Sequence, residues 1–263
     1  MIPNDNTDHH ILAEERRAIL LRELNDTGYI QAAELAEKLN ISAITIRRDL
    51  TQLEEEGLCV RKRGGAVRSA QSVTLELPHQ VKQHSCMAEK KRIAEAAARM
   101  VSHGSTIILD SGSTTYALAL LLSQKRITVV TNDLQIAVKL AANPNIHLIC
   151  TGGIARANVF SLHGSQVESF IRSLRVDLTF LGADAIHADG TVSNVSIEEA
   201  MIKQAMIGAA ERTILLADSS KFEKAGFARV CSLRQLDTII TDSGIPKDKQ
   251  ELLVAMGVKA IIV

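Results

Sequence analysis

From Met87 to the end of the chain, short β-branched runs alternate with helical patterns, and this alternation limits the possible folds more than any other feature. The runs fall at residues 106–109, 127–130, 147–150, 178–181, 214–217, 238–240 and 259–263. Helical periodicity fills most of the gaps, at 90–101, 115–122, 134–142, 165–173, 197–210 and 247–256. A strand that is apolar along its whole length has to be buried on both faces, and helices supply that cover. The expectation is an α/β domain over residues 87–263, built on a mostly parallel sheet.

The first part of the chain follows a different rule. Ile11, Leu12, Ile19, Leu20 and Leu24 are spaced for one helix, which Asp26-Thr27-Gly28 stops. Ala32, Leu35, Ala36 and Leu39 share one face of a second helix. After a break at 40–42, Ser42 caps a third helix, whose apolar stripe is Ile46, Leu50 and Leu53 and which Gly57 ends. The runs on either side of Gly64-Gly65 read as a hairpin. Two helices joined by a short turn and followed by a two-stranded wing predict a winged helix-turn-helix over residues 10–68. Residues 69–86 are polar, contain Pro78 and read as a linker.

In such a domain the second helix of the pair enters the major groove and the wing reaches the flanking backbone. With Ile46, Leu50 and Leu53 facing inward, Arg48 points outward, Thr45 and Gln52 share its side, and Arg47 stands at the edge. Arginine can bind a guanine edge, and glutamine an adenine edge, through paired hydrogen bonds. Arg61, Lys62, Arg63 and Arg68 suit phosphate contacts. Residues 1–70 nevertheless hold ten basic and twelve acidic side chains, a net of −2. DNA binding therefore requires the acids Glu14, Glu15, Glu54, Glu55 and Glu56 to face away. On helix spacing alone, a protein-interaction module with a solvated arginine-rich turn fits as well.

Composition narrows the classes. Thirty basic residues balance thirty acidic ones, so no global charge selects a partner. The longest apolar run, 116–122, is too short to span a bilayer, and residues 1–6 lack the features of a signal peptide. The four cysteines have neither zinc-ribbon nor redox-pair spacing. With no tryptophan, the chain is poorly equipped to stack on single-stranded bases. The expectation is a cytoplasmic protein with no membrane, metal or disulfide framework.

Ligands of open parallel sheets bind beyond the carboxyl ends of the strands. Five strand ends here carry small or polar groups: Asp110-Ser111-Gly112-Ser113-Thr114-Thr115, Thr131-Asn132-Asp133, Thr151-Gly152-Gly153, Gly182-Ala183-Asp184 and Asp218-Ser219-Ser220-Lys221. The first leads straight into a helix, whose amino end with its hydroxyl residues suits a phosphate. Carboxylates and an amide suit the hydroxyls of a polyol, and Lys203 and Lys221 could neutralise the phosphate. Each loop also has a plainer reading: helix cap, turn or solvated helix position. Dinucleotide and nucleoside-triphosphate motifs are missing, so no cofactor is expected.

Both halves resemble the DeoR family of bacterial transcriptional regulators. In the first half the resemblance lies in Glu15-Arg16-Arg17-Ala18-Ile19-Leu20, in the run from Ile44 to Glu54, and in Arg61-Lys62-Arg63-Gly64-Gly65-Ala66. In the second it lies in Lys91-Arg92-Ile93-Ala94, the run from Leu109 to Thr115, Val130-Thr131-Asn132-Asp133, Gly182-Ala183-Asp184, Glu199-Ala200 with Lys203, and Ala217-Asp218-Ser219-Ser220-Lys221. Arg63 stands where the family usually has histidine, and Gln31 where it often has a serine or threonine cap. The resemblance implies a sensor domain related to ribose-5-phosphate isomerase. It further implies a repressor of a carbohydrate operon that binds double-stranded operator DNA, as a homodimer or homotetramer, under control of a phosphorylated sugar. The alternative is a sugar-phosphate isomerase carrying a DNA-binding head. Against it, Ala185 follows Asp184 where related isomerases have an acid, and their glycine-rich lysine loop is not evident. No catalytic residue is therefore expected. Glu198 and Glu199 read as surface or capping residues. A scaffold without ligand is a third reading, but it leaves the polar strand ends unexplained.

Overall fold

The computed structural model describes residues 13–68, 82–83, 85–156, 159–223 and 226–263. The chain divides into two compact units that meet between Ser85 and Cys86. Ile11, Leu12 and most of the expected linker at 69–86 lie outside the described residues, as do the side chains of Glu14 and Arg68.

The first unit contains helices α1 (Ala13–Thr27), α2 (Ala32–Lys38) and α3 (Ala43–Glu55), and strands β1 (Tyr29–Gln31), β2 (Cys59–Lys62) and β3 (Gly65–Arg68). Leu20, Leu24, Ile30, Leu35, Ile46, Leu50 and Leu53 form its core. Ser42 caps α3 by accepting the Thr45 N–H at 3.1 Å. The hairpin has a third strand that the sequence did not announce, because β1 pairs antiparallel with β3 and brings Gln31 opposite Gly65. A Cβ at Gly65 would lie 1.7 Å from the Ile30 carbonyl oxygen, so only glycine lets β1 close onto the wing.

One buried pair joins the helices. Asp49 is 4% exposed, and both of its oxygens accept hydrogen bonds from the Arg16 guanidinium, Nη2 at 3.1 Å. The Asp49 hydrogen bond raises the Arg16 pKa further, so the arginine is charged throughout. Burial pushes the Cys59 thiol up to about 11, and its Sγ is 3.5 Å from the Leu50 carbonyl oxygen, which makes it a packing residue.

The second unit is built on a seven-stranded sheet ordered β15-β14-β12-β9-β4-β5-β6. The strands are β4 (Thr106–Leu109), β5 (Ile127–Thr131), β6 (Ile146–Cys150), β9 (Val176–Leu181), β12 (Ala210–Leu216), β14 (Thr238–Thr241) and β15 (Lys259–Ile262). Every neighbouring pair is parallel. Helices α4 (Met87–Ala98), α5 (Ser113–Leu121) and α6 (Leu134–Ala141) contribute to one core, and α7 (Ser165–Arg172), α8 (Ile197–Ala209) and α9 (Lys247–Met256) to the other. Within β4, Ile107 and Leu109 belong to the first core and Ile108 to the second, as the two-residue period of a strand requires.

Two small additions were not expected. β7 (Ile154–Ala155) pairs with β8 (Leu162–His163). β10 (Ala185–Ile186), β11 (Thr191–Asn194) and β13 (Ala228–Ser232) form a separate antiparallel sheet. The sheet order places the topological switch between β4 and β9: from β4 the chain proceeds outward through β5 and β6, then returns to β9 and builds the other side. Open α/β sheets form their ligand crevice at that point.

Removing one partner of a buried pair leaves the other charge uncompensated. Asp49→Ala is expected to destabilise the first unit by about 3 kcal/mol in urea unfolding. Replacing both partners, Arg16→Met with Asp49→Leu, should restore most of that loss.

Candidate functional site

At the switch point, the Lys203 ammonium of α8 crosses to the Asp110 carboxylate beyond β4 and donates to the Gly182 carbonyl oxygen beyond β9 at 3.0 Å. Gly182 returns its own N–H to Asp110 Oδ2 at 2.8 Å. Both charged groups are almost wholly inaccessible, Asp110 at 2% and Lys203 at 3%. Burial opposes the charge on Lys203, but Asp110, Glu199 and Asp184 outweigh it and hold the ammonium above its ordinary range.

This pair fixes the residue before Ser111 and Gly112, the short turn into α5. The Ser111 N–H donates to Asn132 Oδ1 at 3.1 Å, and its hydroxyl to Asp133 Oδ2 at 2.7 Å. Asp133 also caps α6, accepting the N–H groups of Gln135 and Ile136 at 2.8 and 2.9 Å. Thr131 Oγ1 accepts the Asp133 N–H at 3.1 Å, and Asn132 Nδ2 donates to the Leu162 carbonyl at 3.3 Å. In contrast to α6, α5 has Gly112 at its amino cap, and among the described residues no side-chain cap accepts its first N–H groups. Thr115 turns its hydroxyl back to the Gly112 carbonyl at 2.8 Å; in the same turn Ser113 is half-exposed and Thr114 buried.

The expected ligand residues therefore separate into two sets. Asp110, Thr131, Asn132 and Lys203 were expected to touch a ligand directly, but they are buried with internal partners, and Thr114 and Thr115 are buried as well. Ser111, Gly112, Ser113, Asp184 and Lys221 keep partial exposure. Asp184 Oδ2 accepts the Val195 N–H at 3.1 Å. Lys221 lies in a short 3₁₀ turn after β12, with its N–H on the Asp218 carbonyl at 3.0 Å. Gly152 is exposed. Gly153 has a packing reason to be glycine: at φ +115° its Cβ would fall 2.7 Å from the His163 carbonyl oxygen.

Glu199 corrects the surface or capping role expected from sequence. It is buried, accepting Ser161 Oγ at 2.7 Å and Asn194 Nδ2 at 3.0 Å, with Arg156 Nη1 at 2.8 Å. Its spacing from Lys203, i and i+4 on one helix, was the available signal. Glu198 accepts the Ser196 hydroxyl at 2.6 Å.

In the first unit, Arg47 and Arg48 are exposed and make no side-chain ion pair among the described residues. Lys62 and Arg63 are exposed at the wing turn. Thr45 shares a hydrogen bond with Ser42 at 2.8 Å, and Gln52 accepts one from Arg17 at 2.7 Å. Arg61 folds back on α3, donating to the Arg47 carbonyl at 2.9 Å and to Thr51 Oγ1 at 2.7 Å, so it braces the wing.

Substituting Lys203 by methionine strands a buried carboxylate and is expected to cost about 3–5 kcal/mol in urea unfolding. The sign of its pH dependence follows from the raised pKa. The stabilisation from Lys203 is complete below the unfolded-state lysine value of about 10.4, and is lost as pH climbs through the higher folded value. Wild type should therefore show an alkaline loss of stability that Lys203→Met lacks.

Comparison with known proteins covers both units. Residues 16–72 match the model of the DeoR-like helix-turn-helix domain, and residues 85–243 that of the DeoR C terminal sensor domain. The chain is 35% identical over 252 residues to the putative aga operon transcriptional repressor of Escherichia coli O157:H7, covering 95% of this chain and 93% of that protein. It is 31% identical over 240 residues to the glycerol-3-phosphate regulon repressor of Escherichia coli K12, covering 91% and 94%. Among solved structures, ribose 5-phosphate isomerase from Methanocaldococcus jannaschii is similar at 17% identity and a TM-score of 0.40, over 52% of this chain and 55% of that one.

Proposed function

We propose, from the premise that the chain belongs to the DeoR family of transcriptional regulators, that it is a cytoplasmic repressor of a carbohydrate-utilisation operon whose hold on double-stranded operator DNA changes when a phosphorylated sugar fills the strand-end cup. The observation that carries this reading is the open amino end of α5 at the switch point, pinned beside the Asp110–Lys203 pair. Unpaired backbone N–H groups and the positive end of the helix dipole favour an anion there. In this reading the Ser113 and Thr114 hydroxyls flank the phosphate, Lys221 adds charge from across the rim, and Asp184 accepts from a sugar hydroxyl. Gly152, Gly153 and Thr115 shape the loops around it. The protein acts by binding and not by turnover. Asp110, the carboxylate just before Ser111, is already committed to Lys203 and Gly182.

The DNA-reading head takes residues 10–68 and the sensor residues 87–263. Arg47 and Arg48 meet bases, with Thr45 and Gln52 beside them; Lys62, Arg63 and Arg68 hold the backbone, and Arg61, also expected there, instead braces the wing against α3. The working form is a homodimer or homotetramer, because two heads must match half-sites about 34 Å apart or a multiple of that. A ligand that alters the spacing of the heads alters affinity. The glycerol-3-phosphate regulon repressor among its relatives supports a small phosphorylated polyol or sugar as effector.

The test is a double substitution, Ser113→Ala with Thr114→Ala. Operator affinity, followed by fluorescence anisotropy on a duplex selected by the wild type, should be unchanged. The shift produced by sugar phosphates in wild type, about 5- to 150-fold for ordinary coupling energies, should vanish. A double variant that responds like wild type refutes the cup assignment.

A further inference from the structure

Ile44, the second residue of α3, is 72% exposed, whereas Ile46, Leu50 and Leu53 on the same helix are at most 1% exposed. It shares its face with Arg47 and Arg48, at i+3 and i+4. Other polar groups of that helix already have intramolecular partners: Thr45 with Ser42, Thr51 with the Arg47 carbonyl and Arg61, and Gln52 with Arg17. The opening turns of α3 therefore present one branched apolar side chain and two guanidinium groups.

The amino end of a recognition helix is the part that meets base edges. In the major groove only thymine offers an apolar group, its C5 methyl. A β-branched side chain in a helix has essentially one rotamer, so Ile44 places its methyl groups reproducibly. We propose that Ile44 is a specificity residue that packs on a thymine methyl in each operator half-site, next to the guanine bound by Arg48. With Cβ atoms about 5–6 Å apart at i and i+4 and bases about 3.4 Å apart along a strand, the thymine stands within about two base steps of that guanine. The assignment rests on the DNA-reading role given to α3 above.

The experiment starts from duplexes enriched from a random library by the full-length protein. Each thymine is then replaced in turn by deoxyuridine, which deletes only the methyl group, and affinity is measured for wild type and for Ile44→Ala. Wild type should lose about three- to fivefold at one position per half-site, the value of one buried methyl. Ile44→Ala should bind the unmodified duplex more weakly, show no further loss with deoxyuridine at that position, and keep the wild-type melting temperature. A wild type insensitive to every deoxyuridine overturns the assignment. So does a variant that keeps the full penalty, which would mean that another group makes the contact. Failure to enrich any sequence would instead refute the DNA-reading role itself, and is distinguishable because no base scan could then begin.

Discussion

Lys203 reaches from α8 across the carboxyl end of the sheet to join the two strands between which the chain changes direction. An ammonium at 3% exposure is tolerated only with opposite charge close by, and Asp110, Glu199 and Asp184 supply it. The same contact orders the next residues. Asp110 precedes Ser111 and Gly112, the short turn into α5, so fixing its carboxylate fixes the direction in which that helix sets out. Asn132 and Asp133 hold the turn from the neighbouring strand end. The proposed phosphate site is then the amino end of α5, where among the described residues no side-chain cap accepts the first N–H groups.

The smaller unit uses the same device. Asp49, in the middle of α3, is buried against Arg16 of α1, so the helix that carries Arg47 and Arg48 cannot roll without breaking an ion pair. Arg61 ties the wing to the other side of that helix. A head with a net negative formal charge can still face DNA, because Arg47, Arg48, Lys62 and Arg63 remain exposed while Asp49 is neutralised internally.

The helices and the strands of the parallel sheet were legible in the sequence, whereas β11 and β13, four and five residues long, were not. The seven core strands and six sensor helices fall within a few residues of their expected places because each is buried enough for its period to dominate. The short pieces were not legible. β7, β8 and β10 have two residues each, too few to express a period, and they exist because distant segments pair with them. β1 depends on Gly65 having no Cβ, a fact about a partner 35 positions away from Ile30. At the site, spacing identified which strand ends carry polar groups but not which of those groups face inward. The fate of Lys203 and Asp110 was set by a contact between residues 93 positions apart, and so was hidden from local patterns.

If the open helix end is what recognises the effector, the phosphate itself must carry the response. The direct measurement is operator affinity titrated with matched pairs of phosphorylated and unphosphorylated sugars and polyols. At least one phosphorylated member should shift affinity while its unphosphorylated twin, at the same concentration, does not. An equal shift from both members of a pair would contradict recognition through the phosphate, as would binding of the phosphate ester, seen by calorimetry, with no change in affinity for DNA.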